Sequence, residues 1–201
     1  MPRFTPPPAD AVRGRLLDAA RDEFASQGVT GAKVERIAAA ADSNKAQLFH
    51  YFGGKDGLYE ALLEQTATEL AAEAPLDVDD LAEYAGRLHD AYTRRPWVPR
   101  LLTWHRLEGR PVESLEGARA DAVATVEAAQ RAGVLPRTFR PAVLLGLVEH
   151  LAAFWAETAP EAEGPVAAVS PQRRRQAVVD AVAALLGRSA DSRPRGSSLG
   201  A

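Results

Sequence analysis

Cysteine is absent from the chain, which excludes disulfides, zinc fingers and thiol nucleophiles. Lysine is almost absent: among 24 Lys and Arg residues, only Lys33, Lys45 and Lys55 are lysines. No stretch reaches the roughly 18 uninterrupted apolar residues that a bilayer span requires. The opening MPRFTPPPAD lacks the apolar centre of a secretory signal. Alternating β-branched runs are missing, so no sheet is expected. The signatures of common catalysts are missing as well. There is no G-x-S-x-G turn and no H-E-x-x-H helix, and His50, His89, His105 and His150 are scattered. GGKDG fails as a phosphate loop, because Phe49 and Asp56 stand where that motif needs a glycine and a Ser or Thr. The expectation is a cytoplasmic, non-membrane protein that is no enzyme and implies no cofactor.

What is present is an ordinary globular composition, 46% hydrophobic and 25% charged, enough to bury a core. The net charge of −3 argues against a general nucleic-acid coat. It leaves room for a local positive patch. All three lysines fall within about two dozen residues, two of them bracketing AQLFHYFGG.

Periodicity is helical nearly throughout, so the expected class is all-α with about nine helices. Val12, Leu16, Ala20 and Phe24 recur every four residues in a first helix from about Asp10 to Gln27, with Gly28 as its stop. A second short helix covers about 33–40, with Val34, Ile37, Ala38 and Ala41 inward. A third covers about 44–51 with Leu48 as anchor, and Gly53-Gly54 ends it. A fourth opens at Lys55. Prolines then cut the remainder into helical pieces, the last two at about 141–158 and 171–187. The expected division is a loose tail at 1–9, a helix-turn-helix domain at 10–54, a helical bundle at 55–187 and a second loose tail at 188–201.

Two short helices joined by a tight turn, with small residues at 38–41 allowing close approach, describe a helix-turn-helix. The outward positions of its third helix are Lys45, Ala46, Gln47 and His50. Gln can bond adenine, Lys can donate to guanine and Ala can meet a thymine methyl. Phe49 reads as half-buried core rather than a base contact.

The stretch VERIAAAADSNKAQLFHYFGGKDGLYEALL resembles the DNA-binding signature of the TetR family of transcriptional regulators. The matching residues are Ile37-Ala38, Leu48-Phe49, Tyr51-Phe52 and Lys55, and the resemblance covers about the first 65 residues. It implies phosphate contacts at Tyr51 and Lys55, and an interface made of Lys33, Asn44, Lys45, Ala46, Gln47, His50, Tyr51 and Lys55. Two departures stand out. Asp42-Ser43 replaces the family's usual Gly-Val turn, and Lys33 stands where a threonine is common. Asp tolerates the left-handed conformation better than most residues, whereas Ser43 removes an apolar plug.

The resemblance further implies a homodimer on a palindromic operator in double-stranded DNA, most simply a repressor released by a small molecule. The segment PAVLLGLVEHLAAFW is apolar over so wide an arc that it must bury more than one face. A deeply buried helix in a monomeric bundle would satisfy that, as would a pairing surface on one side. The resemblance implies the latter, from Leu144, Leu147, Leu151, Phe154 and Trp155 together with Val178, Val182 and Leu185 of the last helix. RRPWVPRLLTWHRLEGR concentrates two of three tryptophans. Tyr92, Trp97, Leu101, Trp104, His105 and Glu108 are the candidate lining of a pocket for an apolar or aromatic effector. His105 and Glu108 are one turn apart, but two ligands define no metal site. The competing reading is a helical interaction module with a degenerate helix-turn-helix and no DNA role.

Overall fold

The computed structural model describes residues 9–157 and 169–187. The expected tails at 1–8 and 188–201 lie outside the described residues, whereas Ala9, expected in the first tail, opens a helix. The described residues form nine helices and no strand: α1 Ala9–Gly31, α2 Val34–Ala40, α3 Lys45–Phe52, α4 Lys55–Glu73, α5 Leu81–Arg94, α6 Trp97–Glu108, α7 Glu113–Arg131, α8 Pro141–Glu157 and α9 Pro171–Leu185. No described helix is long and apolar enough to cross a membrane.

The helices group into two compact units. The first comprises residues up to Ala72 together with Arg94–Arg119; the second comprises Glu73–Thr93 and residues from Ala120 onward. The first unit is thus broader than three helices, since α4 and α6 pack with them. Its core takes Leu16 and Phe24 from α1, Ile37 from α2, Leu48 from α3, Leu58 and Leu63 from α4 and Leu101 from α6. Phe24 meets Tyr59 edge-on, with ring centroids 5.2 Å apart, the arrangement that the ring quadrupoles favour.

Gly28 ends the first helical run as expected, and a second short run starts directly after it: φ 65 and ψ 178 interrupt the helical path, and residues 29–31 resume it. Such a restart leaves new amides without intrahelical acceptors. Glu108, at the end of α6, supplies them, accepting from Val29 N at 3.1 Å and Thr30 N at 2.9 Å. Trp104 lies against the same glycine, where a Cβ would come within 2.8 Å of its ring.

In the second unit, Leu81, Leu88, Val126, Leu144, Leu145, Val148, Val178 and Val182 are buried. Arg175 of α9 donates to both Glu83 and Asp90 of α5, the latter at 2.8 Å. Gly86 lies between those acids on α5, and a side chain there would come within 3.0 Å of the guanidinium. Glycine lets α9 approach α5 closely enough for one arginine to serve two carboxylates. Nearby, His89 is buried with Nδ1 3.3 Å from the Ala152 carbonyl, and burial pushes its pKa down.

Candidate nucleic-acid interface

The turn between α2 and α3 is built by the residues that depart from the expected pattern. Asp42 takes the left-handed conformation at φ 47, which a short polar side chain tolerates at modest cost. Backbone bonds close the turn, Asp42 N to Ala39 O at 3.2 Å and Ser43 N to Ala38 O at 2.9 Å. Arg15 of α1 reaches across to donate to the Ala41 carbonyl at 2.9 Å. Ala38 and Ala41 are buried at the crossing, as small residues must be where two helices meet closely.

Asn44 N-caps α3, its side chain accepting from Gln47 N at 2.9 Å. Gly53 ends the helix at φ 71 with its N–H on the Phe49 carbonyl, and Leu48 is fully buried. With both ends capped and one anchor in the core, an eight-residue helix is held in a fixed orientation. A helix this short would not form alone in water.

The expected interface residues share this region but differ in what they do. Asn44, Lys45, Ala46 and His50 are exposed, and Gln47 is half-buried. Ser43 Oγ donates to Gln47 Oε1 at 2.6 Å, so the residue that removes an apolar plug instead orients a base-reading candidate. With its carbonyl engaged, Gln47 presents mainly its amide donors. Lys45 bonds Glu35 of α2 at 3.0 Å. Lys33 is exposed as the N-cap residue of α2, and its N–H goes to Glu23 Oε1 at 2.9 Å. Lys55 is half-buried, its Nζ donating to the Ala32 carbonyl at 3.1 Å. Tyr51 is half-buried, with its ring 5.1 Å from that of His50 and 6.5 Å from that of Phe52.

Phe49 requires a correction. It is 47% exposed rather than half-buried core, because Leu48 takes the inward position and the next residue is turned about 100° away. Glu35 was not among the expected residues. An acid spaced to meet Lys45 across the turn was the available signal.

Glu23 of α1 ties the second helix in place. Arg36 Nε donates to its Oε1 at 2.8 Å, and this bond holds the Glu23 carboxyl below the ordinary value of 4.5. A depressed folded-state pKa gives stability that is fully present above the unfolded value and lost as pH falls through the folded one. Glu23→Gln is expected to cost about 1 kcal/mol at neutral pH. Its thermal midpoint should also fall less steeply on acidification below pH 4.5 than that of the wild type, as followed by circular dichroism.

Of the six expected pocket residues, Tyr92 belongs to the second unit and the other five to the first. Leu101 is fully enclosed core, and Trp97 packs against the same cluster with the Arg21 guanidinium 5.5 Å above its ring. Trp104 closes over Gly28, and Glu108 is engaged by two amides. His105 lies beside Tyr59, ring centroids 6.2 Å apart, and burial pushes its pKa down. The aromatic stripe of α6 thus packs against α1; a helix with Trp and Leu at helical spacing fits core as readily as a ligand wall.

The expected pairing residues divide in three. Leu144, Val178 and Val182 are covered by their own unit, so a second copy has nothing of them left to bury. The solvent side of α8 carries Leu147 at 38% exposure and Phe154 at 51%, joined by Val143 at 48%, which the sequence reading missed. Leu151 and Leu185 are half-buried, as is Trp155, whose ring lies 5.2 Å below the Arg174 guanidinium.

Comparison with known proteins accords with this arrangement. Residues 16–62 match the profile described as bacterial regulatory proteins, tetR family, and residues 80–183 that of a tetracyclin repressor-like C-terminal domain. The HTH-type transcriptional repressor SCO4008 of Streptomyces coelicolor is 34% identical over 157 residues, 76% of this chain and 81% of that protein. The HTH-type transcriptional repressor NicS of Pseudomonas putida is 29% identical over 143 residues, 66% of this chain and 68% of that protein. The solved structure of SCO4942 from Streptomyces coelicolor aligns with a TM-score of 0.77 at 37% identity, covering 88% of this chain and 99% of that one.

Proposed function

We infer the working of this protein from one premise: the chain belongs to the TetR family of bacterial regulatory proteins. It is a DNA-binding transcriptional regulator that responds to a ligand. Beyond that, we propose that it acts as a homodimeric repressor on a palindromic operator and is released by a small apolar or aromatic molecule. The observation that carries the reading is the capped α3, whose exposed face offers Lys45, Ala46 and His50 beside the half-buried Gln47. In this motif the start of the second helix enters the major groove, and two-fold symmetry in the protein is matched by symmetry in the operator.

The proposed roles differ along the helix. Gln47, steadied by Ser43, reads a base edge through its amide. Lys33, Tyr51 and Lys55 fix the register on phosphates, and Lys55 ties the end of α1 to the start of α4 through the Ala32 carbonyl. The proposed release works through α6, whose last turn holds the restart of α1 through Glu108. A ligand that binds two arrangements of α6 unequally shifts their populations by that difference in affinity. No membrane partner is proposed, and a cytoplasmic location fits the role.

Selection of bound sequences from a random duplex pool, with a salt titration of the winner, tests this reading. A palindrome with steep salt dependence is the expected result. Uniform binding to random DNA would overturn sequence-specific regulation, and no binding to any duplex would leave the interaction-module alternative. Gln47→Ala is expected to relax preference at one base pair by about 1–3 kcal/mol. Lys55→Ala should weaken binding to every sequence alike and lower the salt slope by about one. Because Lys55 also bonds Ala32, a small drop in thermal midpoint should accompany its loss.

A further inference from the structure

A carboxylate lies on the surface assigned to DNA. Glu35, in the first turn of α2, has a side chain 69% exposed, and that of Lys45 is 59% exposed. Their charged ends meet at 3.0 Å, and the ammonium also stands 5.9 Å from the exposed Phe49 ring. The three side chains form one continuous solvent-facing array from α2 across the start of α3.

An exposed ion pair of this kind adds little to folding stability. On a surface that approaches phosphates, an acid also weakens binding to every sequence. Its presence is accounted for if it accepts a hydrogen bond that only certain base pairs offer. In the major groove, cytosine presents the N4 amine as a donor, and guanine presents O6 and N7 as acceptors. Guanine O6 and cytosine N4 are themselves hydrogen-bonded, so they lie about 3 Å apart. A lysine nitrogen and a carboxylate oxygen at 3.0 Å match that spacing with opposite polarity.

We propose that Glu35 and Lys45 act together as a reader of a single C·G base pair, Lys45 donating to guanine and Glu35 accepting from cytosine N4. This rests on the DNA-binding reading above and names a determinant of its specificity. Every polar group in the arrangement is satisfied. The second amine hydrogen of cytosine, not used in pairing, goes to Glu35, while Lys45 has three hydrogens to share between Glu35 and guanine. Reversing the base pair places amine against ammonium and carbonyl against carboxylate, a repulsive match that strengthens discrimination. An A·T pair offers a similar donor beside a carbonyl acceptor, but the thymine methyl lies next to that carbonyl, in the path of the lysine stem. Adenine–thymine also gives Lys45 a single acceptor on the thymine side, where guanine gives two. Glu35 therefore acts chiefly against wrong sequences, and Lys45 supplies the attraction.

The test is sequence selection from a random duplex pool with the full-length wild type, Glu35→Ala, Glu35→Gln and Lys45→Ala, each checked for an unchanged thermal midpoint. The wild type is expected to select one C·G pair, in fixed orientation, in each half-site. Glu35→Ala should reduce preference at that pair about ten-fold, leave other positions intact and bind random duplex at least as tightly as wild type. Glu35→Gln, which keeps an acceptor without the charge, should retain part of the preference. Lys45→Ala should lose the same position together with overall affinity. A motif unchanged by Glu35→Ala overturns the proposal while leaving the regulator reading intact, and so does an A·T pair at the position that Lys45→Ala affects. A wild type that selects no motif overturns both.

Discussion

Gly28→Ala destabilises the first unit by about 3–5 kcal/mol and abolishes operator binding at physiological temperature. Three separate costs combine. At φ 65 and ψ 178 the backbone occupies a region essentially reserved for glycine. The added Cβ lies 2.6 Å from Glu108 Oε1 and 2.8 Å from Trp104 Cε3. Any shift that relieves those contacts pulls Glu108 from the Val29 and Thr30 amides, leaving the restarted turn uncapped. The internal control is Gly14→Ala in the same helix. Nothing lies within 4 Å of a Cβ there and no positive φ is recorded, so that change is expected to be neutral or to stabilise by about 0.5–1 kcal/mol. Urea unfolding of the two variants, compared at one temperature, should separate them by several molar units of midpoint or leave Gly28→Ala unfolded at the outset. If the two midpoints agree, the strain and the clamp are not as described.

The same residue shows what a sequence conveys and what it withholds. A glycine at the end of a fourfold apolar run signals interruption, and that much was readable. The resumption of the helix was not, because its capping group is Glu108, 79 residues away on α6. Periodicity identifies a face but does not say what covers it. The inward row of Val12, Leu16, Ala20 and Phe24 was legible for that reason, since every member is buried. So was Leu48, the one large aliphatic in a short helix. Trp97, Leu101 and Trp104 share a face equally clearly, yet the face packs on a neighbouring helix, which spacing alone does not distinguish from a ligand wall. Local turn chemistry was also legible: an aspartate at position 42 could take the left-handed conformation, and it does. The partnership of Ser43 with Gln47 depends on the side-chain rotamers at the start of α3, and that of Glu35 with Lys45 on how α2 and α3 cross, which residue spacing suggests but does not fix.

The second large effect is expected on α8. Leu147→Glu should convert the protein to a monomer and weaken operator binding by more than about 100-fold, because a bound head would no longer hold its twin near the second half-site. The reasoning starts from the divided face. Leu144, Leu145, Val148 and Ala152 are fully buried and account for the inner side of the helix. Val143, Leu147 and Phe154 remain on the outer side at 48%, 38% and 51% exposure. A helical stripe of large apolar side chains in water marks a contact surface. In a two-fold interface the same patch is used by both subunits, so one substitution introduces two carboxylates, close together if the residue lies near the axis. Neither finds a Lys or Arg on α8 itself, whose 17 residues include none. The burial of two unpaired charges is among the strongest single-site penalties available. Because Leu147 lies outside the unit's own core, the variant should keep its helical content and cooperative unfolding. Leu144→Ala provides the contrast: it removes an enclosed side chain and should cost about 2–5 kcal/mol of stability, while the fraction that remains folded still pairs. Light scattering after size exclusion reports the mass, and gel shift with the selected operator reports the affinity. A Leu147→Glu protein that remains dimeric with unaltered operator affinity would place the pairing surface elsewhere than the outer stripe of α8.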